Sequence, residues 1–488
     1  MSQISEPAVL TVDELRERLT AAGQEHLLAY WDSLDEQHRA MLERQLSAIE
    51  WARVPGLVER YVLSKPQLAV DGGIEPVSCY RADGSNWDRA AYKAKGAELI
   101  GAGKIAAFTV AGGQGTRLGY DGPKGCFPGA AVTNKPLFAC LAEWIAAAQS
   151  RYCRETHCAI PWYIMTSPLN HASTVRFFKE NGYFGLKKHD VMFFTQGVMP
   201  SFDMATGKVL LDQPFMPAVS PDGHGGSIKA LADSGALADM VKRGVEHLSY
   251  TQIDNPLVRV IDPAFIGLHA FAPDSSGEMS SKMCPKAGPD EKVGVLCKVG
   301  GKTAVVEYSD MPLQLSRAVG DDGRLKFEAG NIAIHVIGVK FLQKLTEGGK
   351  DGGIALPYHR AEKKVPFVDS ATGQRVEPQK NNAVKLELFV FDALALAEKS
   401  IVLETERVEE FAPIKNAEGV DSPESCRRIQ TKRAAKWLAA VGKGNVVPLK
   451  ADGEPDCTLE LSPLHAMEAE DLRGKTVKPI ARGDEVVL

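Results

Sequence analysis

The sequence has no Cys-x-x-Cys pair. Its nine cysteines are odd in number and scattered from Cys79 to Cys457, which excludes a cysteine-built zinc site and a disulfide scaffold and predicts reduced thiols. It has no long run of one charge either. Lys and Arg number 57 against 62 Asp and Glu, a formal net charge of −5, so neither a nucleic-acid groove nor a polybasic membrane surface has a footprint. An anionic ligand has to be met by a few placed cations. No apolar run approaches the ~20 residues of a membrane span, and Met1 to Leu10 lacks the basic and apolar regions of a secretory leader. A cytoplasmic protein that binds neither nucleic acid nor membrane is therefore expected. Internal repeats and low-complexity tracts are missing, which excludes a solenoid. What is present is an ordinary globular composition, 44% apolar and 24% charged over 488 residues, enough for about three domains at ~150 residues each.

The first hundred residues carry helix signals. Thr11-x-x-Glu14 is a capping box, Leu15 and Leu19 share a face, and Gly23 stands where a helix stops. A second helical segment is expected over 24–33 and a third from Ser33-x-x-Glu36, with Leu42, Leu46 and Ile49 at helical spacing; Trp31 and Trp51 read as core. From Lys104 short apolar runs alternate with helical patterns, the grammar of a largely parallel sheet covered on both faces. Strands are predicted over 105–110, 162–166, 191–195 and 248–253, and helices over 136–149, 171–181 and 228–243, the last broken near Gly235. Gly300-Gly301 predicts a hairpin between 293–299 and 302–308. The final hundred residues, with a turn at Ala451-Asp452-Gly453, read as a small β-containing appendage. The expected domains are 1–100 helical, 101–390 central and 391–488 a small α+β domain.

The chemistry is concentrated in Ala111 to Gly129, AGGQGTRLGYDGPKGCFPG, directly after the strand 105–110. Gly112, Gly113, Gly115 and Gly119 let backbone N–H groups approach an anion closely. Arg117 offers a planar fork to phosphate oxygens, and Lys124 a mobile point charge. Spacing excludes the two better-known phosphate loops. Gly125 follows Lys124 where a P-loop needs Ser or Thr, and Leu118 occupies the third glycine position of a dinucleotide fingerprint counted from Gly113 and Gly115.

The wording GGQGTRLG followed by PKG resembles the signature of nucleotide-sugar pyrophosphorylases, and the UDP-N-acetylglucosamine pyrophosphorylase group in particular. Similar blocks recur in order along most of the chain, among them PWYIMTS (161–167), FTQGVMP (194–200), SPDGHGG (220–226), IDNPLVRVIDPAFIG (253–267), VVEYSDMP (305–312), FEAGNIAIH (327–335), AVKLELFVFD (383–392) and EEFAPIKN (409–416). The resemblance implies an α/β fold: a Rossmann-like, glycosyltransferase-A-like nucleotidyltransferase domain with a mixed, mainly parallel sheet, an N-terminal helical region and a small C-terminal β-containing domain. It implies a uridylyltransferase that joins UTP to N-acetylglucosamine 1-phosphate, giving UDP-N-acetylglucosamine and pyrophosphate, with Mg²⁺ as cofactor and Mn²⁺ as a substitute.

It also implies site residues. The backbone at Ala111, Gly112, Gly113 and Gly115 would hold nucleotide, with Gln196 and Gly223 reading the base. Arg117, Lys124 and Lys385 would face the phosphates, Asp254 would hold the metal, and His224, Glu307 and Asn331 would meet the sugar. The residues are suited to such roles: a side-chain amide can donate to and accept from a uracil edge, and a hard carboxylate after an apolar strand suits Mg²⁺. His224 departs from the PDGNGG of N-acetylglucosamine-specific members and resembles UDP-glucose and broader UDP-sugar branches. Another sugar 1-phosphate, of glucose, galactose or N-acetylgalactosamine, therefore stays open as substrate. A non-catalytic nucleotide-sugar binder is the reading from a different class, but its mark would be loss of Arg117, Lys124 or Asp254, and all three are present. Whether the protein is a monomer or a homodimer also stays open.

Overall fold

The computed structural model describes residues 9–65, 73–347, 354–370 and 372–488. The chain divides into two compact units, each gathered from three stretches: Met1–Ala69, Gln196–Gly235 and Lys344–Asp392 form the smaller, and Val70–Thr195, Ala236–Gln343 and Ala393–Leu488 the larger.

The larger unit is built on a ten-stranded mixed sheet. Its strands include β1 (Ile105–Val110), β2 (Trp162–Thr166), β3 (Val191–Thr195), β4 (His247–Gln252), β5 (Met279–Pro285), β6 (Val295–Val299), β7 (Lys302–Val306) and β8 (Ala329–Gly338). The strands β4, β1, β2 and β3 are parallel neighbours in that order, and β8 pairs antiparallel with β4. Buried residues fill β1 and β2 from end to end, apart from Val110, because both sheet faces are covered; hence they read as unbroken apolar runs instead of alternating ones. The register of Gln252 with Val110 brings the carboxyl ends of β4 and β1 to one edge. That edge is where open α/β sheets place ligands.

Helices Leu137–Tyr152 and His171–Glu180 follow β1 and β2, the second ending at Asn181 before Gly182 at φ 56°. Gly300 and Gly301 both take positive φ between β6 and β7, as the hairpin requires. Helix Arg89–Gly101 packs on helix Pro263–Phe271 so closely that a Cβ on Gly96 would lie 1.8 Å from the Pro263 carbonyl oxygen, and one on Gly267 1.9 Å from that of Tyr92. Neither backbone can move aside cheaply. Gly96→Ala is thus expected to lower stability by about 1–3 kcal/mol through overpacking, read as a lower urea midpoint; an unchanged midpoint would mean the two helices are not in backbone contact.

The smaller unit holds the N-terminal helices. Helix Val12–Ala21 starts at the Thr11–Glu14 capping box, whereas helix Glu36–Ser47 is capped by Asp35 rather than Ser33. The segment expected as one helix over 24–33 forms two 3₁₀ turns, Glu25–Leu28 and Trp31–Ser33. The apolar sides share a core with Phe202, Val209, Val384 and Leu386, so these helices belong with strand β9 (Tyr358–Lys363) and its antiparallel partner β10 (Ala383–Leu388). The break near Gly235 is real: helices Gly226–Asp233 and Ala236–Arg243 flank it, with Gly235 at φ 76°.

The units do not follow the three consecutive blocks read from the sequence, because core and strand partners come from distant segments. The C-terminal stretch carries an 18-residue helix, Pro423–Ala440, packed on the strand pair Thr458–Glu460 and Glu485–Val487 through Trp437, Leu438 and Leu459. The expectation of reduced thiols fails at one pair. Cys153 and Cys158 form a disulfide, since the turn after helix Leu137–Tyr152 brings their Cα atoms to 5.1 Å; the other seven cysteines are free. Among the described residues no helix is long and apolar enough to cross a membrane.

Candidate functional site

In the larger unit the loop after β1 turns back on itself. Gly115 N–H donates to the Gly122 carbonyl and Lys124 N–H to that of Gly113. Thr116–Leu118 and Lys124–Cys126 form short 3₁₀ turns, and Gly119 sits at φ 68°. Asn170, fully buried at the start of helix His171–Glu180, donates its amide to the carbonyls of Ala111 (3.0 Å) and Gly113 (3.2 Å). With the carbonyls so engaged, the N–H groups of Gly112 and Gly113 have no partner among the described residues. That is the geometry of an anion cradle. The glycines divide by purpose. A Cβ on Gly125 would strike the Phe138 ring at 2.2 Å, whereas one on Gly113 would meet nothing within 4 Å, so Gly113 leaves open space and not a packing contact.

Two cations flank the cradle. Arg117 is exposed and has no ion pair among the described residues. Lys124 is mostly buried, its Nζ 3.5 Å from Oδ2 of Asp254. Asp254 emerges just beyond β4, where Ile253 N–H still donates to the Val110 carbonyl. A cavity of about 50 Å³ beside it is lined by Gln252, Asp254, Asn331, Phe411 and Lys415 among others. The exposed Lys415 supplies a third cation there; it stands in the EEFAPIKN block, to which sequence reasoning gave no role. Asn255 holds that segment in place, donating to the Glu410 carbonyl and accepting from Ala412 N–H. Asn331 lies within β8, where Ala333 takes φ 54° and Asn331 Oδ1 accepts from Ala333 N–H. Glu307 follows β7 and reaches the same neighbourhood. Asn331 N–H donates to the Gly294 carbonyl, and a Cβ on Gly294 would lie 2.9 Å from Glu307 Oε1. Two larger cavities of this unit, about 510 and 660 Å³, are lined by none of the candidate site residues read from the sequence.

The donor set fits a phosphate-bridging Mg²⁺ better than a metal caged by protein. Asp254 is a single hard carboxylate at the ligand-bearing sheet edge, and no group of three or more His, Cys, Asp or Glu gathers among the described residues. Magnesium takes one or two carboxylates and completes its shell with phosphates and water.

The smaller unit holds a second constellation at the end of β10. The 222–225 turn is laced to that strand: Leu388 N–H donates to the Asp222 carbonyl, and Gly225 N–H to that of Leu388. Gly223, at φ 86°, lies so close that a Cβ would fall 2.4 Å from the Leu388 carbonyl oxygen. The Gln196 side chain donates to Asp222 Oδ1 at 3.2 Å and to the Gly223 carbonyl at 3.4 Å. Burial pushes the Asp222 carboxyl up to about 6, the Gln196 hydrogen bond only partly opposing it. Lys385, on β10, has no ion-pair partner among the described residues. The His224 ring stacks on Phe389, with centroids 5.1 Å apart, and its Nδ1 accepts from Val390 N–H. Burial, with a smaller push from His359, lowers His224 to about 4. It is therefore neutral near pH 7, and since Nδ1 accepts, the proton sits on Nε2. Sequence reasoning missed Asn170, Asp222 and Lys415, although the last two stand inside blocks quoted for their resemblance.

Comparison with known proteins places the chain. It is 36% identical to UDP-N-acetylglucosamine diphosphorylase 2 of Arabidopsis thaliana, over 95% of this chain and 92% of that one. It is also 36% identical to the UDP-N-acetylglucosamine pyrophosphorylase of Saccharomyces cerevisiae, over 86% and 90% respectively. The crystal structure of the uridine diphosphate N-acetylglucosamine pyrophosphorylase from Trypanosoma brucei superposes with a TM-score of 0.80 at 28% identity, covering 97% of this chain and 95% of that one. The family model for UTP–glucose-1-phosphate uridylyltransferase matches residues 57–422, a span that takes in every residue singled out above, and the chain belongs to that family.

Proposed function

We propose that this protein is a cytoplasmic uridylyltransferase that joins UTP to N-acetylglucosamine 1-phosphate, releasing pyrophosphate, by direct in-line attack of the sugar phosphate on the α-phosphorus. The observation that carries the reading is the loop after β1: two glycine N–H groups without a partner among the described residues, beside Arg117 and Lys124. The names borne by the relatives, matched over most of their length, support the sugar.

The difficulty of such a reaction is charge. At ~4 Å and an effective dielectric of about 20, each pair of like unit charges repels by ~4 kcal/mol. The attacking phosphate oxygen is already ionised, so no general base is needed, and positioning with electrostatic stabilisation carries the rate. In this reading the N–H groups of Gly112 and Gly113 hold the triphosphate, Arg117, Lys124 and Lys385 neutralise it, and Gln196 and Gly223 read the base. Glu307 and Asn331 accept from and donate to sugar hydroxyls, and His224 offers Nε2–H. Asp254 would hold Mg²⁺ or Mn²⁺, which would supply positive charge to offset that of the phosphates when bound.

Pyrophosphate release measured with UTP and a panel of sugar 1-phosphates tests the substrate. N-acetylglucosamine 1-phosphate is expected to turn over fastest. No turnover of either N-acetylhexosamine phosphate alongside turnover of glucose 1-phosphate would replace it with the neutral hexose, the substitution that His224 points to.

A further inference from the structure

Gln196 and Asp222 are each nearly inaccessible, 7% and 6% exposed. The Asp222 carboxylate fills space that two glycines leave. A Cβ on Gly197 would lie 2.5 Å from Oδ2, and one on Gly226 2.1 Å from Oδ1. Among the described residues it has no ion pair, and the hydrogen bond its side chain accepts comes from Gln196 Nε2. A carboxylate so buried, with the Lys229 ammonium acting on it only from beyond ion-pair distance, works against folding. Its presence calls for a use other than stability, and the geometry supplies one. The Gln196 amide has two N–H donors and one carbonyl oxygen. Asp222 Oδ1 and the Gly223 carbonyl are both acceptors, and both face Nε2. The two N–H groups are thereby committed inside the protein, and rotating the amide by half a turn would set oxygen against oxygen.

We propose that Asp222 is a positioning residue for base selection, locking the Gln196 amide so that Oε1 is the only group it presents to a nucleobase. A fixed acceptor suits the N3–H of uracil and repels the N3 lone pair of cytosine. Gly223 N–H, which has no partner among the described residues, is the complementary donor for a uracil carbonyl and would oppose the cytosine amino group. Discrimination between the two pyrimidines thus depends on a carboxylate that touches no substrate. The inference rests on the assignment of Gln196 to the base.

The test is kcat/KM for UTP and for CTP in the wild type and in Asp222→Ala, Asp222→Asn and Gln196→Ala, with melting curves as the fold control. Asp222→Ala frees the amide to rotate, and its UTP:CTP ratio is expected to fall about 10- to 100-fold, the range for a misplaced buried hydrogen bond, mostly through KM for UTP with kcat within about threefold. Asp222→Asn can still accept from Gln196 Nε2 through Oδ1 and is expected to hold the ratio within about threefold of wild type. A ratio unchanged in Asp222→Ala but collapsed in Gln196→Ala would overturn the positioning role and leave the base assignment standing. A ratio unchanged in Gln196→Ala would overturn the base assignment itself. Equal losses in Asp222→Asn and Asp222→Ala would show that the charge matters, not the fixed acceptor, and would also overturn the proposal. If Asp222→Ala does not fold, Asp222→Ser takes its place: a hydroxyl both donates and accepts, dictates neither orientation, and must lower the ratio.

Discussion

Replacing Lys124 with alanine is expected to lower kcat/KM for UTP-dependent pyrophosphate release by two to three orders of magnitude, the loss that follows removal of one preorganised donor from a reacting oxyanion. The melting temperature should move by no more than ~2 °C. The two expectations differ because Lys124 does little for the fold. Its Nζ is 3.5 Å from Asp254 Oδ2, a loose pair that keeps some solvent access, with side chains 17% and 15% exposed. An incoming triphosphate changes its weight. Without the ammonium the site loses one positive charge opposite the phosphate oxygens, and at ~4 Å each unit pair is worth about 4 kcal/mol for an effective dielectric of 20. Lys124→Arg keeps the charge but spreads it over a planar fork and should fall between wild type and Lys124→Ala. Steady-state kinetics and a thermal melt on the same preparations decide the matter. A loss of fivefold or less in a protein that melts normally would remove Lys124 from the reaction and favour binding without catalysis.

The loop was legible because its signal is local. A strand of five apolar residues and one threonine, four glycines in the next nine positions and two embedded cations are adjacent in sequence, so their proximity needs no knowledge of the fold. The same holds for the first three parallel strands, β1 to β3, whose predicted bounds match those observed: β1 and β2, buried on both faces, and the half-buried β3 each write themselves as a short, mainly apolar run. Partnerships across long separations were not legible. Asn170 lies 59 residues from Ala111 and 57 from Gly113, and nothing in its surroundings marks it as the group that turns their carbonyls inward. Lys415 reaches the Asp254 cavity only because Ile414 N–H donates to the Asp254 carbonyl, a bond across 160 positions. Gly330-Asn331 is a turn-forming pair by residue type, yet tertiary pairing with β5 and β6 makes it part of a strand with a left-handed kink at Ala333. The Cys153–Cys158 pair shows the opposite limit. The spacing was visible, but only the turn that follows the helix reveals that the two sulfurs meet.

Lys282→Met should destabilise the larger unit by about 3–5 kcal/mol at pH 7, the cost of stripping one partner from a buried ion cluster. Lys282 is 1% exposed, on β5, with its Nζ 2.6 Å from Asp262 Oδ2 and 2.8 and 2.7 Å from the two oxygens of Glu410. Each carboxylate also holds backbone. Asp262 caps helix Pro263–Phe271, and Glu410 accepts from Arg259 N–H and from Thr405 Oγ1. Methionine fills a similar volume, so the loss would come from charge and not from a cavity. Acidity separates this cause from general damage. Burial alone would raise Asp262, but Lys282 and Arg259 outweigh it and hold the carboxyl well below the usual carboxylate range. In the wild type this contribution is complete above the unfolded value near 4 and is lost as the pH falls toward the lower folded one. In the variant Arg259 is left beside Asp262 without Lys282, so the depression shrinks and acidification costs the variant less stability than it costs the wild type. The gap between the two proteins, read from urea midpoints, should therefore be widest near neutrality and narrow in acid, and adding Asp262→Asn and Glu410→Gln to Lys282→Met should recover most of it at pH 7. Because Glu410 also begins the segment that carries Lys415 to Asp254, the single variant should lose activity at temperatures where its melt is still complete on the folded side. A gap below about 1 kcal/mol, or one that does not change with pH, would mean that Lys282 is not what makes these two buried carboxylates tolerable.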